Sequence, residues 1–303
     1  MSLLETLPSN LLKAGCTAVA ALLFGGSVSA QSVDTAEGVT IATAAMEQCG
    51  EAVEDAAALA EAVEKGRAIA LANEEYDAGF GDSEAQMRMV LYNRHGETSE
   101  RELRQMTLEN PSLEMGDKSL IVFDRPRDVA GTSMLTFAKI LEADDQWMFL
   151  PALKRVKRIS SKNKSGPFMG SEFAFEDFSS QEFGKYSYRF LREEACPGAE
   201  DQMCDVVERY PLYENSGYVK QVSWSDRQHR GHMTEFFNRR CDKLKTLTFG
   251  DYRQYLDHYW RAHKLRMENH LTGKSTDLLW EEYEFQVGLD EGDFNQNALK
   301  RAR

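Results

Sequence analysis

The feature that most constrains the fold is a long succession of short segments in which apolar and polar residues alternate. The first segment places Met87, Met89 and Leu91 on one side and Gln86 and Arg88 on the other. Such alternation is typical of a strand with one buried face. Similar segments follow at Glu102–Glu109, Ser119–Phe123, Ser133–Glu142, Gln146–Leu150, Val156–Ser160, Gly184–Arg192, Val206–Pro211, Tyr218–Ser223, His232–Asn238, Lys243–Tyr252, Tyr259–Asn269 and Ser275–Val287. Short turns without intervening long helices predict antiparallel strands joined as a meander.

Helical spacing is confined to the two ends of this succession. Residues 34–73 are rich in Ala and Glu, with apolar residues at helical intervals that indicate one helix or two. Residues 290–300 predict a terminal helix. About a dozen strands with no Pro, Gly or Ser-rich linker predict one α+β domain, whose large antiparallel sheet must curl. We expect the N-terminal helices and residues 161–180 to cover its concave apolar face.

The first thirty residues predict a cleaved export signal. Lys13 precedes the apolar run Ala14–Phe24, and Val28-Ser29-Ala30 supplies small residues at a cleavage site. The run is shorter than the roughly 20 residues that a membrane-spanning helix needs. A lipid anchor on Cys16 is disfavoured because much of the apolar run follows that cysteine. The predicted organisation is therefore a signal at 1–30, a helical segment at 31–80 that packs on the sheet, and a sheet domain at 81–303.

Four cysteines remain after such a signal, as expected for disulfides in an oxidising compartment. Three pairings are possible. Pro-Gly turn chemistry between Cys196 and Cys204 favours a disulfide between those two residues. We pair Cys49 with Cys241 and leave the other pairings open.

The charge balance is acidic, with one basic exception. Lys and Arg number 36 against 49 Asp and Glu, a net charge of −13, which disfavours nucleic-acid binding. Six cations nevertheless lie within residues 154–164, including Arg155, Lys157 and Arg158. These three predict a docking site for an anionic head group or a membrane partner. The alternative is an edge strand that its charges protect from aggregation.

Aromatic residues and methionines suggest a cavity for an apolar ligand. A curved sheet too large to be filled by its own side chains leaves some of them lining a hollow. Most aromatic residues on such a sheet are core, which is the alternative for each position. The predicted lining consists of Trp147, Phe149, Phe168, Met169, Phe173, Phe175 and Trp224.

Catalytic and metal-binding motifs are weak in this chain. His229 and His232 lack the spacing and acidic partner of a metalloprotease site. Neither a nucleophile elbow nor a phosphate-binding glycine loop can be identified. Phe80-Gly-Asp-Ser83 is explained by a tight turn. We therefore predict neither a catalytic residue nor a metal or cofactor.

Several segments, in this order, resemble the bacterial outer-membrane lipoprotein-sorting proteins of the LolA-like superfamily. Together they extend over roughly residues 70–300 and are specific only as a set. They are Gly81-Asp-Ser83, Lys118–Phe123 with Pro126, Val129–Leu135, Trp147–Ile159 and Phe168–Asp177.

The resemblance implies an incomplete β-barrel closed by helices, with an apolar hollow for acyl chains. It further implies a periplasmic carrier without enzymatic activity, which takes lipid or lipoprotein acyl chains from an inner-membrane transporter to an outer-membrane acceptor. Some relatives serve lipid exporters of the resistance-nodulation-division type. The alternative is a periplasmic sensor of the same fold that binds an anti-sigma factor or another membrane protein.

Overall fold

A computed structural model describes residues 33–110, 115–140 and 142–301 of the chain. The predicted export signal lies outside these residues. Within the described part, none of the helices combines the length and the apolar composition that crossing a membrane requires.

Thirteen strands form one antiparallel sheet. They are β1 (Asp82–Tyr92), β2 (Thr98–Leu108), β3 (Met115–Arg125), β4 (Ser133–Lys139), β5 (Asp145–Leu150), β6 (Arg155–Ile159), β7 (Tyr186–Cys196), β8 (Ala199–Pro211), β9 (Tyr218–Asp226), β10 (Gly231–Asn238), β11 (Lys243–Tyr255), β12 (Tyr259–Asn269) and β13 (Lys274–Phe285). Each strand pairs with the next strand in the sequence, except that β6 does not pair with β7. The sheet is instead continuous in its middle, where β1 pairs with β13. The two edge strands are therefore β6 and β7, and the predicted meander is confirmed.

The sheet is strongly curved, because strands far apart in its order contribute to one core. Met148 on β5 and Tyr218 on β9 belong to the same hydrophobic cluster, which also contains Met87, Leu247 and Leu278 from the middle of the sheet. Side chains this far apart in a flat sheet would lie tens of ångströms from one another, at about 4.8 Å per strand. The curling expected from the number of strands is thus present.

The chain between the two edge strands turns into the hollow of the curved sheet. We call residues 161–185 the plug segment; it contains four short 3₁₀ helices, at Ser161–Asn163, Phe168–Gly170, Phe175–Phe178 and Phe183–Lys185. Phe168 is fully buried and Phe173 is 3% exposed, both in the core of the concave face. A buried ion pair of 2.9 Å joins Lys185 to Asp144 in the β4–β5 turn. The plug segment therefore fills much of the hollow.

Two N-terminal helices close the sheet at its β7 edge. They are α1 (Thr35–Gln48) and α2 (Ala56–Asp77), whose first N–H groups bond to the side chains of Asp34 and Asp55. Gly66 in α2 lies directly over β7: a Cβ atom there would lie 2.6 Å from the backbone nitrogen of Phe190. Glycine allows this close approach. Beyond Gly66, the helix continues over the concave side of the sheet.

Helices also pack on the convex face of the sheet. The helical hairpin formed by α1 and α2 contacts Tyr210 and Val219 there through α1 and the first half of α2. The short α3 (Gln296–Arg301) packs farther along, where Leu299 is fully buried among Leu135 and other residues of β3–β5. Helices thus cover parts of both faces. The concave face is covered by the plug segment and the second half of α2.

Candidate functional site

Two adjoining cavities remain between the concave face, the plug segment and α2. The large cavity has a volume of about 740 Å³ and the small cavity about 290 Å³. Both are bordered by Arg209, Thr234, Phe249, Leu265 and Trp280, so they meet along strands β8 to β13. A volume of 300–1,000 Å³ is typical of sites for small ligands.

Residues from separate parts of the chain converge on the large cavity. Period 2 in the C-terminal strands brings aromatic residues to its wall, and helical spacing brings the second half of α2 to its opposite side. Its aromatic and aliphatic lining includes Ile69, Leu71, Phe80, Phe183, Phe249, Tyr252, Trp260, Leu265, Trp280 and Tyr283. Such a surface suits an apolar ligand, since contact with it removes apolar area from water.

Carboxyl groups form one polar wall of the large cavity. A carboxylate oxygen of Glu182 accepts from the Asp117 N–H at 3.1 Å, and a carboxylate oxygen of Glu74 accepts from the Phe183 N–H at 3.2 Å. Burial and then the charge of Glu182 raise the pKa of Asp117 to about 7. The same two causes raise the pKa of Glu74 well above its ordinary value. Both groups therefore carry less negative charge near neutral pH than exposed carboxylates would.

Because the pKa of Asp117 is raised in the folded protein, we expect the free energy of unfolding to fall as the pH rises. Between pH about 4 and about 7, folded Asp117 keeps a proton that the unfolded chain has released. The contribution of Asp117 to the free energy of unfolding is therefore fully present below pH about 4. Between pH about 4 and about 7 the free energy of unfolding falls by about 1.4 kcal/mol per pH unit. Asp117→Asn should remove the Asp117 contribution and leave that of Glu74, so the slope of the variant should be shallower than that of the wild type, measured by urea denaturation at several pH values. The control is Asp201→Asn, at an exposed position. Equal slopes in Asp117→Asn and the wild type would contradict the prediction.

The predicted cavity residues are distributed over three environments. Phe168, Met169 and Phe175 belong to the concave core but border neither cavity, and Phe173 borders the small cavity. The phenylalanine rings of this segment fill part of the hollow themselves: the centre of the Phe168 ring lies 4.4 Å from the centre of the Phe178 ring. Most of this part of the predicted lining is thus core.

Trp147 and Phe149 were assigned to the wrong face. Both pack on the convex side, in the cluster that α3 covers, and neither borders a cavity. The cause is the period of a strand: Met148 points to the concave core, so its two neighbours point away from it. Alternation identifies two faces of a strand but does not say which one is concave.

Trp224 borders the large cavity, but its ring packs on the other side of β9. It lies in a cluster with the Cys196–Cys204 disulfide, and its indole N–H donates to Glu194 at 2.7 Å. The neighbouring Ser223, which bonds to Thr234 at 3.2 Å, faces the cavity instead.

The predicted docking residues lie on edge strand β6, away from both cavities. Arg155 and Lys157 are exposed and have no ion pair with any described residue, whereas Arg158 pairs with Asp145. Lys164 at the end of the cationic run is instead buried and donates to the backbone oxygen of Asp144. An edge strand rich in lysine and arginine was the alternative interpretation, and this position agrees with it.

Both disulfides have the pairing that the sequence analysis favoured. Cys49 is bonded to Cys241, and Cys196 to Cys204. These bonds suit an oxidising compartment. Among the described residues, the cluster closest to a metal site consists of Cys196, Cys204 and His232, but both sulfurs are already in the disulfide and cannot act as thiolate ligands.

Sequence reasoning missed the residues that line the large cavity. Trp260, Trp280 and Tyr283 come from strands near the C-terminus, beyond the segments with the strongest motifs. Their signal was the density of aromatic residues between Tyr252 and Phe285. Only the pairing of β13 with β1 shows that this density belongs to the middle of the sheet.

Comparison with known proteins finds clear relatives. No curated protein matches the chain. A family model described as an uncharacterized protein matches residues 115–301. A structure described as an outer membrane lipoprotein-sorting protein domain, from Vibrio parahaemolyticus, is 52% identical, with a TM-score of 0.76, over 79% of this chain and 100% of that one.

Two further structures share the fold. A DUF1329 family protein from Desulfovibrio piger is 28% identical, with a TM-score of 0.73, over 78% of this chain and 99% of that one. A LolA superfamily protein from Nitrosomonas europaea is 19% identical, with a TM-score of 0.62, over 77% of this chain and 98% of that one. The chain therefore shares the fold of the LolA superfamily protein. The 52% identical relative, which the chain covers completely, leads to one conclusion: the chain belongs to the family of the outer membrane lipoprotein-sorting protein domain.

Proposed function

We propose that this protein is a periplasmic carrier that holds acyl chains of a lipid or lipoprotein in the large cavity. The observation that carries the proposal is the cavity itself: about 740 Å³ between α2 and the aromatic wall of the C-terminal strands. The disulfides and the description of the Vibrio relative support the periplasm as its compartment.

Energetics favours a protein carrier over free diffusion. An acyl chain with about 14 methylenes gains on the order of 11 kcal/mol on leaving water, at about 0.8 kcal/mol per methylene. A cavity that supplies most of this gain keeps the chain soluble between membranes. The proposed role is binding and transfer without a chemical reaction, since handover requires only a difference in affinity between carrier and acceptor.

Edge strand β6 is the proposed docking site for the membrane partners. Its Arg155 and Lys157 are free of ion pairs with described residues, and an edge strand also offers unpaired backbone groups. Arg158 adds a third exposed cation there. We assign this surface to an inner-membrane transporter, such as an exporter of the resistance-nodulation-division type, or to an outer-membrane acceptor.

The direct test is native mass spectrometry of the protein purified gently from periplasm, followed by lipid extraction. A stoichiometric bound lipid is the expected result and would identify the ligand class. A protein that carries no lipid and takes up none when lipid is added would contradict the proposal.

A substitution that fills the cavity should reduce this binding. Thr234 is 5% exposed and lies where the two cavities meet. Thr234→Trp should lower the affinity about 50-fold if it displaces three methylenes, which is about 2.4 kcal/mol. The matched control is Thr248→Trp, an exposed position on the neighbouring strand β11. Circular dichroism confirms folding, and equal affinities for the two variants would exclude this cavity as the acyl site.

A further inference from the structure

Arginine side chains reach the cavities at two positions, and their surroundings differ. Arg261 pairs with Asp77 at the surface and lies within 6 Å of three aromatic rings. Arg209 borders both cavities, yet it has no ion pair with any described residue. Its hydrogen bond goes to the neutral side-chain oxygen of Gln221, at 2.8 Å from Nε.

Three other partly buried arginines of this protein are neutralised by ion pairs. Arg189 pairs with Glu208 at 2.5 Å, Arg230 with Asp226 at 2.8 Å, and Arg266 with Asp277 at 2.9 Å. A guanidinium removed from water without an anionic partner is unfavourable. Arg101 on β2 likewise has no ion pair with a described residue, but it donates to the backbone oxygen of Met169 and borders neither cavity. Of the two arginines that border a cavity, Arg261 has an anionic partner and Arg209 has none among the described residues.

Neighbouring groups hold the Arg209 guanidinium in place without neutralising it. The guanidinium carbon lies 4.6 Å from the centre of the Tyr186 ring, and Gln221 fixes Nε. The nearby carboxylates are used elsewhere: Glu182 accepts from Ser180 and from the Asp117 backbone. The terminal guanidinium nitrogens therefore have no protein acceptor among the described residues, although their geometry matches a carboxylate or a phosphate.

We infer that Arg209 binds the anionic head group of an amphiphile whose chain lies in the large cavity. This inference rests on the proposed function, because it places a head group beside the proposed acyl site. The position is suitable: Arg209 borders both cavities, as do the aromatic Phe249 and Trp280 and the polar Ser180 and Gln181 of the plug segment. A carboxylate and a phosphate monoester are both negatively charged, and each offers two oxygens that can accept the two parallel N–H groups of a guanidinium.

The test compares three ligands with the same twelve-carbon chain on the delipidated full-length mature protein: dodecanoate, dodecyl phosphate and neutral monododecanoylglycerol. Calorimetric titration should show at least one anion binding at least tenfold more tightly than the neutral ligand. Preference for dodecanoate or for dodecyl phosphate would identify the head group. Equal binding of all three would overturn the Arg209 assignment and leave the carrier proposal standing, whereas no binding of any ligand would count against both.

Variants locate the effect at Arg209. Arg209→Gln should weaken binding of the preferred anion at least tenfold and leave the neutral ligand unchanged. Arg209→Lys should give an intermediate affinity, because it keeps the charge but loses the paired donors. The control is Arg253→Gln, since Arg253 is exposed, pairs with Asp251 and does not border a cavity. Should Arg209→Gln fail to fold, the wild-type comparison of charged and neutral ligands still decides, and an anion preference that survives in a folded Arg209→Gln would overturn the inference.

Discussion

Lys245→Met should lower the free energy of unfolding by about 3–5 kcal/mol, the range for a buried charge that loses its partner. The Lys245 ammonium lies 2.6 Å from a carboxylate oxygen of Asp177, and both side chains are less than a tenth exposed. Asp177 also accepts from the Tyr218 hydroxyl at 2.8 Å and from the backbone of Ala174 at 2.6 Å. This one carboxylate therefore fixes the plug segment to β9 and β11.

Urea denaturation measures the effect, with Lys243→Met as the matched control. Lys243 is on the same strand and pairs with Glu235, but its side chain is 43% exposed, so its loss should cost at most about 1 kcal/mol. Asp177→Asn combined with Lys245→Met should recover part of the loss, because the uncompensated charge is removed. Similar losses in Lys245→Met and Lys243→Met would show that this pair does not hold the plug segment.

The fold was predictable because it depends on local patterns. Period 2 within each segment gives the strands, and short turns give antiparallel neighbours. Strand limits were less certain: β8 begins at Ala199, whereas the apolar pattern began at Val206. The tight Cys196–Cys204 hairpin explains the difference, since its exposed polar residues extend the strand without an apolar signal.

The cavity was less predictable because it depends on what fills the hollow. A run of aromatic residues such as Phe168–Phe178 suits a ligand site and a core equally well. The plug segment turns inward because Glu176 and Asp177 find buried partners there: Glu176 accepts from Ser216 and the Gly217 N–H, each at 2.9 Å. These partners are about 40 residues away in sequence, so composition could not reveal them.

Removal of the Cys49–Cys241 disulfide, by Cys49→Ser with Cys241→Ser, should lower the free energy of unfolding by about 5 kcal/mol. This bond closes a loop with a sequence separation of 192, whereas Cys196 and Cys204 are separated by only 8. Chain entropy in the unfolded state gives about 5 kcal/mol for the long loop and about 2.5 kcal/mol for the short one. The matched control is therefore Cys196→Ser with Cys204→Ser.

The long-range bond also has a structural consequence that the hairpin bond lacks. Cys49 ends α1, and Cys241 lies in the turn between β10 and β11, so the bond ties the helical hairpin to the convex face. Glu51 adds an ion pair of 2.5 Å to Lys220 beside it. Since α2 continues from this anchor to the wall of the large cavity, the Cys49–Cys241 variant should lose acyl affinity as well as stability. Equal stability losses in the two double variants, measured by urea denaturation, would contradict the entropic argument. Unchanged acyl affinity would show that packing across Gly66 alone holds α2 at the cavity.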